Sequence, residues 1–280
     1  MTNKLTILLA ALAAPILCLT GHAQTALEAD GLVVIEAETQ DSGLRFDFGD
    51  SITGFKGTGY LRGNVNSFNT PNLGTITYPL RISRAGTYQF AFRSRIGVGT
   101  SNTDNNDSFI RLVDSNGNPV TPVPNQNVAT SGSWYKVYMN DARGWSHQAS
   151  NKDNDPHSLS WVLESGQEYA IQMSVRSRDH LVDRFILWDR SQYSLANQVT
   201  GKGTNEALFN SLEASNFAPE GTPWGPYFAD AQGNVDTGTF LGWLNVQFDP
   251  WAWSYSISRY MYLPGDSVTG SGAWTYIPKD

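Results

Sequence analysis

Apolar residues recur at every second position through much of the first two-thirds of the chain. Residues 75–82 place Ile76, Tyr78, Leu80 and Ile82 on one side of an extended chain. Residues 87–92 do so with Tyr88, Phe90 and Phe92, and residues 168–175 with Tyr169, Ile171, Met173 and Val175. Period two is the mark of a β-strand with one face in a core. Turn-forming clusters separate these runs, among them Arg84-Ala85-Gly86, Ser115-Asn116-Gly117 and Ser165-Gly166. No helical periodicity intervenes between residues 32 and 188, so the pattern predicts an all-β antiparallel sandwich or barrel. The expectation is a jelly-roll β-sandwich over residues 27–190.

Residues 191–223 read differently. Gly201-Lys202-Gly203 breaks the chain, and Thr204 is placed to cap a short helix through Leu212, with Leu208, Phe209 and Leu212 on one side. A helix this short needs a neighbour to pack on, so the segment reads as a helical linker. From residue 224 to 280 the chain is dense in aromatic residues, holding Trp224, Trp243, Trp251, Trp253 and Trp274 of nine tryptophans in all. Runs at 240–244, 251–255 and 260–263 look like strands of a small β-meander. The favoured expectation is that these rings pack on one another as the core of a small module. The alternative is an exposed platform that stacks on sugars or on a protein or cell-surface partner.

The one long apolar run lies at the N-terminus. Lys4, the stretch from Ile7 to Leu19 and the small-x-small sequence Gly21-His22-Ala23 form a secretory signal pattern over residues 1–23. Lipidation at Cys18 is the lesser reading, since Pro15-Ile16-Leu17 lacks the small residue expected before a lipidated cysteine. Cleavage removes the single cysteine of the chain, and with it any disulfide or thiol chemistry. No other stretch is long enough to predict a membrane-spanning helix. With 19 Lys and Arg against 26 Asp and Glu, the net charge of −7 argues against a nucleic-acid binder, which needs clustered basic residues.

Motifs for nucleotide binding, serine hydrolysis and HExxH zinc sites are absent from the sequence. The strongest local pattern is Val33-Val34-Ile35-Glu36-Ala37-Glu38. Two glutamates at i and i+2 of a strand share a face, which is unfavourable unless a cation sits between them. Oxygen ligands of this kind suit calcium. For an isolated Glu-x-Glu a solvated strand face is the commoner reading, so the motifs that accompany it matter.

Four motifs occur in order: Ile35-Glu36-Ala37-Glu38, the stretch Gly54-Phe55-Lys56-Gly57-Thr58-Gly59-Tyr60, Ala85-Gly86-Thr87-Tyr88, and Val182-Asp183-Arg184-Phe185-Ile186-Leu187. Together they resemble carbohydrate-binding modules of families 6 and 35, which are galactose-binding-like domains, over roughly residues 32–189. The resemblance implies a jelly-roll sandwich with a structural calcium held by Glu36, Glu38, Asp183 and a backbone carbonyl near Lys56. It also implies a sugar-binding edge. There Tyr60 falls at the family's first stacking tyrosine and Trp145 near its loop tryptophan, while His147 flanks the cleft. Where the family often carries an asparagine, this chain has Arg178-Asp179-His180, so Arg178 or His180 takes that role. Core packing is the competing reading for Trp145, and a plain surface role for His180.

Two polar loops, 102–107 and 151–155, are candidates for a second cation or for the rim of a cleft, although Asx-rich loops are often plain turns. His157 reads as a strand-edge residue. The expected function is therefore a secreted, non-catalytic protein that binds a polysaccharide or glycan. Two other readings stay open. One is a small β-sandwich polysaccharide lyase or glycosidase using Tyr60, His147, His180 and Arg178. The other is an envelope or adhesion protein in which the sandwich is a spacer.

Overall fold

The alternating stretches form strands where the pattern places them. A computed structural model describes residues 24–40, 42–123, 129–141, 144–193, 206–218, 221–269 and 272–278. The signal pattern, Thr204 and the glycine break at 201–203 lie outside the described residues. In chain order the first strands are β1 (Ala26–Leu27), β2 (Leu32–Glu36), β3 (Phe46–Gly49), β4 (Tyr60–Gly63), β5 (Ile76–Arg81), β6 (Gly86–Ile96) and β7 (Asp107–Asp114). They are followed by β8 (Ala129–Ser131), β9 (Trp134–Tyr138), β10 (Ser146–Gln148), β11 (Ser160–Leu163), β12 (Glu168–Val175) and β13 (His180–Asp189).

These strands make two sheets. One has the order β1-β5-β12-β7-β9-β8; the other has β10-β6-β13-β4-β3, with β11 also on β6 and β2 also on β13. Only the β1–β5 pairing is parallel among them. The chain steps from one sheet to the other at β5, β6 and β7 and again at β11, β12 and β13, the antiparallel jelly-roll sandwich that the periodicity predicts. The inward positions interlock: the rings of Tyr78 and Phe90, from opposite sheets, lie 4.7 and 6.0 Å from Phe185.

Strand β13 departs from period two, because all ten of its residues are buried. The cause is a third layer. Helix α1 (Glu206–Ser211) lays Phe209 against Trp188 and His147, at ring separations of 5.1 and 5.3 Å. The chain after it pairs with the sandwich edge: Ser215 N–H donates to the Val34 carbonyl at 2.8 Å, and Leu27 N–H to the Asn216 carbonyl at 2.7 Å. Residues 206–218 thus form part of the sandwich, whereas the sequence reading treats them as linker.

The C-terminal stretch forms a hairpin of β14 (Thr222–Trp224) and β15 (Tyr227–Ala229) and a meander of β16 (Asn234–Asp236), β17 (Trp243–Phe248), β18 (Trp251–Ser254) and β19 (Arg259–Tyr262). Its core overturns the favoured expectation. Val235, Leu244, Val246, Ala252, Met261 and Leu263 fill it, together with Trp224 from the hairpin. Most other rings face outward, because alternation along β18 sends Trp251 out and the small Ala252 and Ser254 in. Among the described residues no helix is long and apolar enough to cross a membrane.

The packing makes Tyr88 a test of the core. Its ring is fully buried and its hydroxyl donates to the Arg84 carbonyl at 2.9 Å. Tyr88→Ala should cost about 3–5 kcal/mol in denaturant unfolding, as expected for loss of a large core ring.

Candidate functional site

A row of charges crosses the second sheet. Glu36 of β2 is the register partner of Arg184 of β13, and Arg184 is the register partner of Arg93 of β6. Two arginines directly opposite one another would repel. A β-bulge between Val182 and Arg184 resolves this by inserting Asp183 as an extra residue. Arg184 then grips both Glu36 oxygens, and Arg93 pairs with Asp183 while donating to the Gly54 carbonyl at 2.9 Å. The third layer completes the arrangement, with Asn210 Oδ1 on Arg93 at 3.1 Å and the Leu212 carbonyl on Arg184 at 2.9 Å.

The groups expected to hold a metal are engaged within the protein. Lys56 contributes its N–H, donated to the Asp183 carboxylate at 2.9 and 3.2 Å. Glu38 accepts from the N–H groups of Thr58 at 2.6 Å and Gly59 at 3.2 Å through Oε1. Only glycine suits position 57, where φ is +63° and a Cβ would overlap that oxygen. The other oxygen, Glu38 Oε2, is buried without a hydrogen-bond partner. Burial raises the pKa of Glu38 and pushes Asp183 up to about 6, with Glu36 adding like-charge repulsion to both. Among the described residues no three carboxylate, imidazole or thiol groups stand together as a ready metal-ligand set.

The residues expected to touch a sugar divide. Tyr60 and Trp145 do meet, with ring centroids 5.4 Å apart. Tyr60, however, is only 2% exposed, covered by Gly49 and Phe55. Trp145 is half-buried and donates to the Thr53 carbonyl at 3.0 Å, tying down the loop above Asp183. His147 and His180 are fully buried. Phe209 covers His147, and His180 points between the sheets, with Nδ1 2.9 Å from Ser108 Oγ and its ring against Phe92. Neither imidazole reaches a surface, which corrects the sequence expectation for both. Arg178 is exposed beside Asp179.

A cleft of about 460 Å³ opens elsewhere on the sandwich, and both Asx-rich loops border it through Asp104, Asn106 and Asp153. At its floor Asp107 is nearly buried; it pairs with Arg176 and accepts from Ser177 Oγ at 2.5 Å. Burial raises the Asp107 pKa against the opposing pull of Arg176. Lys136 Nζ lies 2.5 Å from Asp153 and 4.0 Å from Asp107. The Arg176 guanidinium sits 5.2 Å over the ring of Phe68, which is 48% exposed. The Asx-rich loops were visible in the sequence; Phe68, Lys136 and Arg176 carried no signal that singled them out. His157 pairs with Asn151 as an edge bridge, as expected.

No protein-family model matches this chain, and no curated protein matches it. Among solved structures, a family 35 carbohydrate-binding module from Clostridium thermocellum is 16% identical, covering 56% of this chain and 98% of its own, with a TM-score of 0.35. The family 35 module from Paenibacillus barcinonensis is 16% identical over 55% of this chain and 97% of its own, with a TM-score of 0.36. A Podospora anserina β-(1,4)-mannanase with such a module is 17% identical over 57% of this chain and 28% of its own, with a TM-score of 0.38.

The buried His180 makes stability depend on pH. Desolvation lowers its pKa to about 3, so the folded chain stays neutral there long after the unfolded chain, with an ordinary value near 6.5, has taken up a proton. Stability is therefore full above about pH 6.5 and lost progressively down to about pH 3, by roughly 4–5 kcal/mol. Asp183 contributes with the opposite sign, since its raised value lets the folded state bind a proton first. Comparing the pH dependence of unfolding in wild type and His180→Phe isolates the histidine, and the variant should lose the acid-sensitive component.

Proposed function

We propose that this chain is a secreted glycan-binding protein whose sandwich takes a polysaccharide segment in the cleft beside Phe68. The cleft is the observation that carries this reading. Sugar sites combine an aromatic face, which covers the C–H side of a pyranose, with planar charged groups that hydrogen-bond its hydroxyls. Phe68 supplies the ring, and Arg176, Lys136, Asp107 and Asp153 supply the polar groups. Binding without turnover suits their pairing, because each carboxylate is already engaged by a cation. A lyase or glycosidase built on Tyr60, His147 and His180 is disfavoured by the burial of all three. Secretion belongs to the same reading, supported by the N-terminal sequence pattern.

Titration against a panel of soluble oligosaccharides tests the cleft. Phe68→Ala should weaken binding about tenfold, near 1.4 kcal/mol, with an unchanged melting temperature. Trp145→Ala should lower the melting temperature and leave affinity intact. No binding by wild type, or unchanged affinity in Phe68→Ala, would overturn the assignment.

Calcium enters this reading as a second proposal. Glu36, Glu38 and Asp183 carry three negative charges against the two of Arg93 and Arg184, and the orphaned Glu38 Oε2 supports a cation at that corner. The ion would be held by Glu38 with Glu36, Asp183 and the Lys56 carbonyl, supplying positive charge in competition with the two guanidinium groups. Calcium at a hundred times its dissociation constant should stabilise the fold by about 2.7 kcal/mol. Superimposable melting curves in calcium and in chelator would leave the arginines as the counter-charges.

A further inference from the structure

The C-terminal meander segregates its side chains in an unusual way. Its inner face is aliphatic and small, while its outer face carries Trp243, Phe248, Trp251, Tyr260 and Tyr262, each between 38% and 63% exposed. Leaving so many rings in water is unfavourable, and contiguous patches of this kind mark binding surfaces.

Register turns the patch into a track. Phe248 lies opposite Trp251, Trp251 opposite Tyr262, and Tyr262 opposite Tyr276. With neighbouring strands about 4.8 Å apart, the four rings span about 15 Å in one line. A second line runs Asn234, Asn245, Trp253, Tyr260. Edge-to-face contacts hold the rings, with Trp251 and Tyr262 at 5.3 Å and Trp253 and Tyr260 at 5.0 Å. Such a surface is organised before anything binds, which reduces the entropy lost on association.

We propose that this outer face is a second glycan site, independent of the sandwich cleft, which takes an uncharged, linear polysaccharide. Charge selects the occupant. The track itself carries no charged side chain; of the charged residues in these strands, Asp236 shares the outer face as the partner of Trp243, while Arg259 falls on the other face as the partner of Ser254. On a chain of net charge −7 an anionic polymer meets general repulsion with no basic patch to offset it. Ring faces bordered by amides and phenol hydroxyls match the alternating C–H and hydroxyl surfaces of neutral sugars. A second copy of the chain fits less well. The uninterrupted ring strip exposes about 400–500 Å², short of the roughly 800 Å² per partner of a stable protein interface.

Co-sedimentation of the full-length chain with insoluble cellulose, β-1,3-glucan, mannan and chitin tests the proposal, with calcium alginate as the acidic control. Wild type should be retained by at least one neutral glycan, and high salt should not release it. Trp251→Ala/Tyr262→Ala should reduce that retention about tenfold, in the wild-type and the Phe68→Ala backgrounds alike, which separates this face from the cleft. Phe248→Ser/Tyr276→Ser, at the most exposed positions of the track, serves the same purpose if the first pair fails to fold. Absence of retention on every neutral glycan, or retention unchanged in both variants, overturns the proposal. So does a wild-type dimer in sedimentation velocity that these substitutions convert to monomer.

Discussion

Four charges buried across the second sheet set the terms for the rest of the sandwich. Glu36, Arg184, Asp183 and Arg93 alternate in sign only because β13 carries a bulge that inserts Asp183 beside Arg93. The two arginines are themselves register partners, and the extra residue supplies a second carboxylate beside them. Buried ions are tolerated when each is paired and its remaining hydrogen-bonding groups are met. Gly54, Lys56, Asn210 and Leu212 meet them here.

That demand explains the third layer. Asn210 and the Leu212 carbonyl cap the arginines, while Phe209 covers the apolar surface next to them. The helix is too short to persist alone, so its order comes from this contact. The same layer removes His147 from solvent. On the other side of the charge row, Trp145 and Tyr60 hold the loop that delivers Lys56 N–H and the Gly54 carbonyl. Rings expected to face a ligand are thereby engaged in keeping buried charges satisfied.

Both proposed binding surfaces lie on faces that the folding core leaves alone. The cleft collects residues from strand ends and loops of the first sheet, and the aromatic track occupies the outer side of the C-terminal meander. In the cleft, polar groups are already paired with one another, so a ligand meets fixed partners.

The alternation of apolar residues by itself determined the strands, the all-β class and most of the core, since side-chain direction along an extended chain follows from local geometry. The unusual character of Glu36 and Glu38 was legible too, because closely spaced carboxylates in an apolar run need an opposing charge, whereas Asp183 stood out only through the family resemblance. Which charge opposes them was not legible. Arg93 and Arg184 reach them through cross-strand register and a bulge, and register depends on strands far apart in the chain. Burial of His147 required a helix some sixty residues away in sequence, and burial of His180 the approach of the opposite sheet. In the C-terminal meander the aromatic count was plain, yet its meaning changed once Ala252 and Leu244 proved to face inward. Period two specifies that alternate residues share a face; only the packing of distant elements decides which face meets water.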